Sequence, residues 1–190
     1  IAIGGAIAIA FCSYNFQIIQ VGHNTKMQAI AFMPWALAAV VFSYKAKKWP
    51  QALLGAALFS LAVSFQVKAN HPQISYYLAI IIVLYAIAVF ISQIVAKKRI
   101  GRFFVISALL LVFGLVGIGT NATKLIPTWD YTPHSMRGGS TKSAEGEARK
   151  GLDIDYATAW SYGWEELPNL MIPNYNGGSS AGALSSDSET

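Results

Sequence analysis

The sequence predicts an all-α polytopic membrane protein: about five transmembrane helices, then an irregular, partly helical segment on the outer face. Three observations lead there. First, 54% of the 190 residues are apolar and only 12% are charged, with a mean hydropathy of +0.44. A soluble domain carries about 25% charged residues, so this chain lacks the polar material to cover a water-facing surface. Second, the apolar residues fall in five runs of roughly bilayer-spanning length. Third, no Asp or Glu precedes Asp130. The same composition excludes a disordered chain, which needs few apolar residues and many charges.

The runs cover residues 1–21, 27–44, 50–67, 76–95 and 103–119. A helix needs about 20 residues to cross a ~30 Å hydrocarbon core. The fourth run is the clearest, and the third and fifth are short. Residues 1–119 are therefore expected to form a transmembrane bundle, and residues 120–190 an extracytoplasmic region.

Charge fixes the expected orientation. Residues 1–129 hold ten Lys or Arg and no acid, while residues 130–190 hold nine acids against Arg137, Lys142, Arg149 and Lys150. A uniformly basic nucleic-acid surface would not divide in this way, so no nucleic-acid partner is expected. Lys45, Lys47 and Lys48 follow the second run, and Lys97, Lys98, Arg99 and Arg102 lie between the fourth and fifth. The other two gaps carry only Lys26 and Lys68. Lys/Arg-rich short loops stay cytoplasmic, and all four gaps then agree on one topology, with residues 120–190 outside.

The helices carry polar stripes. Ser13, Gln17, Gln20 and Asn24 are spaced along one face of the first segment, and Ser60, Ser64, Lys68 and His71 along the third. Ala52, Ala56, Ser60 and Ser64 recur every four residues. Small residues at this spacing let helices approach closely in lipid. Helix packing and a substrate path both fit these stripes. With no acid inside the membrane, an ion-coupled relay has no carrier.

Other chemistries find no foothold. Cys12 is the single cysteine and sits within the first run, so no internal disulfide forms. His23, His71 and His134 lack zinc-ligand spacing. No phosphate-cradling GxxxxGK[ST] loop and no GxSxG elbow is present. A secretory signal peptide is not expected, because Ile1 begins without a basic n-region. Starting without Met and stopping in a polar run, the chain is expected to be a piece of a longer one.

The outward gaps carry the functional signal. VGHNTKMQ (21–28) and VKANHPQISYY (67–77) each place one His, one Asn and one Lys at the membrane boundary. If the hairpins pack together, His23, Lys26, Lys68 and His71 converge near the headgroups, where a cation cluster suits phosphate or pyrophosphate. The competing reading is two solvated loops. In the tail, RGGSTKSAEGEARKG (137–151) reads as a mobile loop, and the Gly/Ser-rich end from Gly177 reads as flexible. Asp153 or Asp155 is expected to cap a short helix through Tyr162, and residues 165–172 read as a helical turn. Arg137 precedes Gly138 and Gly139, so its guanidinium is free to turn inward onto a phosphate; pairing with Asp130 or with lipid headgroups is the alternative. Trp160 and Trp164 suit either a sugar ring or the membrane interface.

Several strings together resemble one family. PTWDYTPHSMRGG (127–139), GLDIDYATAWSYG (151–163) and LMIPNYNGG (170–178) resemble the bacterial YfhO family, and its Bacteroidetes branch most closely. GHNTKMQAIAFMPW (22–35) and NHPQISYY (70–77) resemble that family's membrane segments in the same order. The resemblance implies a GT-C-type glycosyltransferase in the bacterial inner membrane, moving a sugar from a polyprenyl-phosphate donor to a cell-envelope glycopolymer on the periplasmic face. It also implies a longer enzyme whose catalytic carboxylate lies in an earlier outer loop, outside this fragment. Within the fragment, His23, Lys26, Lys68, His71 and Arg137 are the candidate phosphate ligands, with Trp160 and Trp164 beside them. Asp130 and Glu165 are the weaker candidate carboxylates. No cofactor is identifiable, and a divalent metal stays open. The alternative is a non-catalytic membrane protein, such as a lipid-linked-sugar flippase or an envelope-assembly scaffold.

Overall fold

The computed structural model describes residues 2–97, 100–132, 158, 161, 163–172 and 175. Among these residues there are helices and no strands, in the order α1 (Ala2–Ala10), α2 (Ser13–Gln20), α3 (Asn24–Lys45), α4 (Trp49–Lys68), α5 (Pro72–Val95), α6 (Gly101–Gly119) and α7 (Ala122–Tyr131), followed by a 3-10 helix over Trp164–Leu170. Five stretches are long and apolar enough to cross a membrane: Ile3–Gln20 and the whole of α3, α4, α5 and α6. The chain is a multi-pass membrane protein.

Helix boundaries follow local chemistry. Helix α5 starts four residues before the expected run because Pro72 occupies its first turn, where a missing N–H costs nothing. At the start of α4, the Gln51 Oε1 accepts the Lys47 and Lys48 amides at 3.3 and 3.2 Å, giving two donors a partner as the helix begins. Pro34 sits inside α3, where it removes one backbone donor; a transmembrane helix tolerates this when neighbours cover the freed carbonyl.

Two expectations from the sequence are corrected. The run over residues 1–21 is one apolar stretch but two helices. Cys12 adopts an extended backbone (φ −58°, ψ 130°), and the buried Asn15 side chain donates to the Ile9 carbonyl at 2.8 Å. That amide satisfies a carbonyl that helix continuation would otherwise serve. The polar stripes also stop short. Asn24 opens α3 beyond a turn at Gly22 (φ +79°), and His71 lies beyond Asn70, whose φ of +56° ends α4. Asn tolerates this left-handed conformation better than other residues with a Cβ.

The chain divides into two compact units, Asn24–Thr123 and Ile1–His23 with Lys124–Thr190; one break falls close to the expected boundary near residue 120, and a second falls between His23 and Asn24. In the first unit, α4 packs between α3 and α6. Its core is small: Ala36, Ala39, Ala52, Ala56 and Ala62 are all nearly inaccessible. Lipid supplies no hydrophobic drive between helices, so association rests on close packing. Three glycines supply it. A Cβ on Gly55 would strike the Ser43 hydroxyl, one on Gly114 would lie 3.1 Å from the Phe59 ring, and one on Gly117 would strike the Ser60 carbonyl. The stripe Ala52–Ala56–Ser60–Ser64 is thus a packing seam. Helix α5 buries only Ile74 and Leu78 and turns Ile80, Leu84, Ile87 and Ile91 outward, as a lipid-facing helix does.

In the second unit, the 3-10 helix packs on α2, and Ser13 Oγ donates to the Asn169 carbonyl at 3.0 Å. The expected turn over residues 165–172 is this 3-10 helix, opened by the Gly163 amide donating to Glu166 at 3.0 Å. The expected loop over 137–151, the helix capped by Asp153 or Asp155, and the end beyond Gly177 lie outside the described residues.

Candidate functional site

The four-helix unit has two chemically different ends. At one end lie the α3–α4 turn, the C-terminus of α5 and the N-terminus of α6. Aromatic rings fix this arrangement: Tyr44 stacks on Phe103 with centroids 5.5 Å apart, and Phe103 meets Phe90 at 5.1 Å. Tyr44 and Ser107 share a hydrogen bond of 2.8 Å. Arg102 donates to the Ala46 carbonyl at 2.9 Å and lies 4.5 Å from the Trp49 ring centroid. The bases at 45, 47, 48, 97 and 102 therefore share one end, as the grouping of basic gaps in the sequence predicts.

The opposite end holds the candidate phosphate ligands. Ala29 of α3, Ala69 of the α4–α5 turn and Ile74 of α5 pack into one buried cluster. Lys26 lies one turn before Ala29, Lys68 adjoins Ala69, and His71 is the residue before α5. Positions 26, 68 and 71 are thus each within three residues of this one contact. Lys26 and His71 are half-buried and Lys68 is exposed. His23 belongs to the other unit, where it is exposed.

The same end is tied by polar groups that hydropathy alone does not reveal. Ser64 and Thr120 hydroxyls meet at 2.7 Å, and Asn121 donates to the Ser64 carbonyl at 3.0 Å. These bonds lock the end of α6 onto α4, and Asn121 is buried as a result.

Between the ends runs an apolar cavity of about 380 Å³ against α4, α5 and α6. Its wall extends along α6 from Ser107 to Ile118, about 16 Å at 1.5 Å per residue. Gln66 is part of the wall; it is 2% exposed, and neither its Oε1 nor its Nε2 has a hydrogen-bond partner among the described residues. An amide so placed costs of order 1–3 kcal/mol. In the sequence Gln66 is one of several polar residues in an apolar run, beside the Ser60–Ser64 stripe, and nothing there sets it apart.

The remaining candidates are less concentrated. Asp130 is exposed on α7, and Glu165 is exposed in the first turn of the 3-10 helix. Trp164 is 88% exposed. Arg137 and Trp160 lie outside the described residues. No group of three or more His, Cys, Asp or Glu suited to a metal occurs among the described residues. The chain matches no protein-family model, no curated protein and no solved structure.

Proposed function

We propose that the chain is part of an integral membrane glycosyltransferase. It transfers a sugar from a polyprenyl-phosphate donor to a cell-envelope acceptor on the outer face of the bacterial inner membrane. The observation that carries this reading is the placement of Lys26, Lys68 and His71 within three residues of the buried Ala29–Ala69–Ile74 contact, at the end of a unit with an apolar cavity along its helices.

The division of chemistry supports it. In such a transfer the acceptor hydroxyl attacks the anomeric carbon, the bond to the donor phosphate oxygen breaks, and a carboxylate takes the hydroxyl proton. Charge then grows on the departing phosphate, where fixed cations stabilise it. Lys26, Lys68 and His71 are suited to that second task. Residues 24–123 hold no carboxylate, so the base is supplied from elsewhere in the longer enzyme. A lipid-linked-sugar flippase or assembly scaffold would keep the cation cluster and dispense with the base; donor-dependent transfer by the full-length protein separates the two.

The test is Lys68→Ala in the full-length enzyme, assayed against lipid-linked donor. Losing one charged contact worth about 1.5–3 kcal/mol predicts a rise in KM of roughly 10- to 100-fold, with protein level and membrane insertion unchanged. An unchanged KM would remove Lys68 from the donor site.

A further inference from the structure

We propose that the α3–α4 turn is a binding site for the headgroup of an anionic phospholipid, separate from the donor site at the opposite end. A pocket of about 300 Å³ lies there between Phe42, Lys45, Ala46, Lys47 and Gln51. Its position suits a headgroup. Helix α3 spans Asn24–Lys45, 22 residues, or about 33 Å, so Lys45 stands where the hydrocarbon core ends.

Charge complementarity names the sign of the ligand. The unit from Asn24 to Thr123 carries nine Lys or Arg and not one Asp or Glu. Lys45, Lys47 and Lys48 are exposed and make no ion pair with a carboxylate among the described residues. The amides at the start of α4 add a partial positive charge. The neutralising anion therefore comes from outside the unit.

Shape and polarity choose a lipid over a free anion. One wall of the pocket is Phe42, 41% exposed, on the membrane-spanning part of α3. A phosphate seated on Lys45 and Lys47 would run its glycerol and acyl portion down past that ring. Trp49, 47% exposed, provides an interfacial ring on the other side of the turn. Arg102 is committed to the Ala46 carbonyl and the Trp49 ring. It holds the turn in shape and leaves the lysines for the ligand. Basic pockets at helix ends bind anionic headgroups by this combination of charge and depth.

The experiment titrates the full chain in neutral detergent with dioctanoyl-phosphatidylglycerol, dioctanoyl-phosphatidylcholine or inorganic phosphate, reading bound ligand by native mass spectrometry. Phosphatidylglycerol should bind saturably, and more weakly as salt rises. Lys45→Gln with Lys47→Gln should weaken it by about 25-fold, fivefold for each lysine, with helicity unchanged by circular dichroism. Phe42→Ala should weaken the lipid as well. A single-charge comparison should leave binding like the parent's in the control variant, Lys124→Gln, and weaken it about fivefold in Lys47→Gln. Equal retention of phosphatidylcholine, equal loss in the control variant, or inorganic phosphate binding as tightly as the lipid would each overturn the assignment. So would phosphatidylglycerol binding that is insensitive to salt.

Discussion

Gly117 is where a single hydrogen atom decides the distance between two helices. Its α-carbon faces the Ser60 carbonyl so closely that a methyl group has no room, and the obstacle is backbone, which has no rotamer to escape into. Gly117→Ala should therefore force α6 away from α4 and destabilise the unit by about 1–3 kcal/mol, read as a lower detergent-unfolding midpoint. Gly119→Ala, with nothing within 4 Å, is the matched control and should leave the midpoint in place. Gln66 is the converse case, a residue with too many polar atoms for its surroundings. Its amide has the donor and acceptor of a helix-to-helix bond in lipid and finds neither partner among the described residues.

At the scale of elements, spans were legible in the sequence and breaks were not. Hydropathy located α3 to α6 to within a few residues, because crossing a bilayer demands length and apolarity along the whole helix. It ran α1 and α2 together, since Phe11 and Cys12 are as apolar as their flanks. What breaks the helix is the bond from Asn15 back to Ile9, a local competition invisible to a window average. The candidate site divides in the same way. Lys26, Lys68 and His71 were legible because they sit in short gaps whose hairpin geometry returns them to one end. Thr120, Asn121 and Gln66 were not, because their meaning depends on which helix faces them. The spacing of Ser60, Ser64, Lys68 and His71 looked like one stripe only while the turn at Asn70 was unknown.

At the scale of the molecule, bases at one end of the four-helix unit oppose a mixed His/Lys end. The expected sidedness puts the lysine-rich end in the cytoplasm. Cys placed at Ser140, in a chain with Cys12 replaced by Ser, should then react with an impermeant thiol reagent added outside intact cells. Reaction only after lysis would reverse the orientation and move the candidate donor site to the other face.

The missing carboxylates have a thermodynamic consequence. Acid unfolds most proteins by protonating Asp and Glu that are paired or hydrogen-bonded in the native state, so that stability falls with pH as the folded form loses those partners. Residues 24–123 have no such group. The single histidine aside, they hold no residue type whose ordinary range lies between neutral and acid. The four helices should accordingly ignore acidification, since all nine acids lie beyond residue 129. With Trp129, Trp160 and Trp164 replaced by Phe and His71 by Gln, the emission of Trp35 and Trp49 should hold its wavelength from pH 7 down to pH 4. A red shift over that range would show that the unit leans for its fold on acidic groups outside its own sequence.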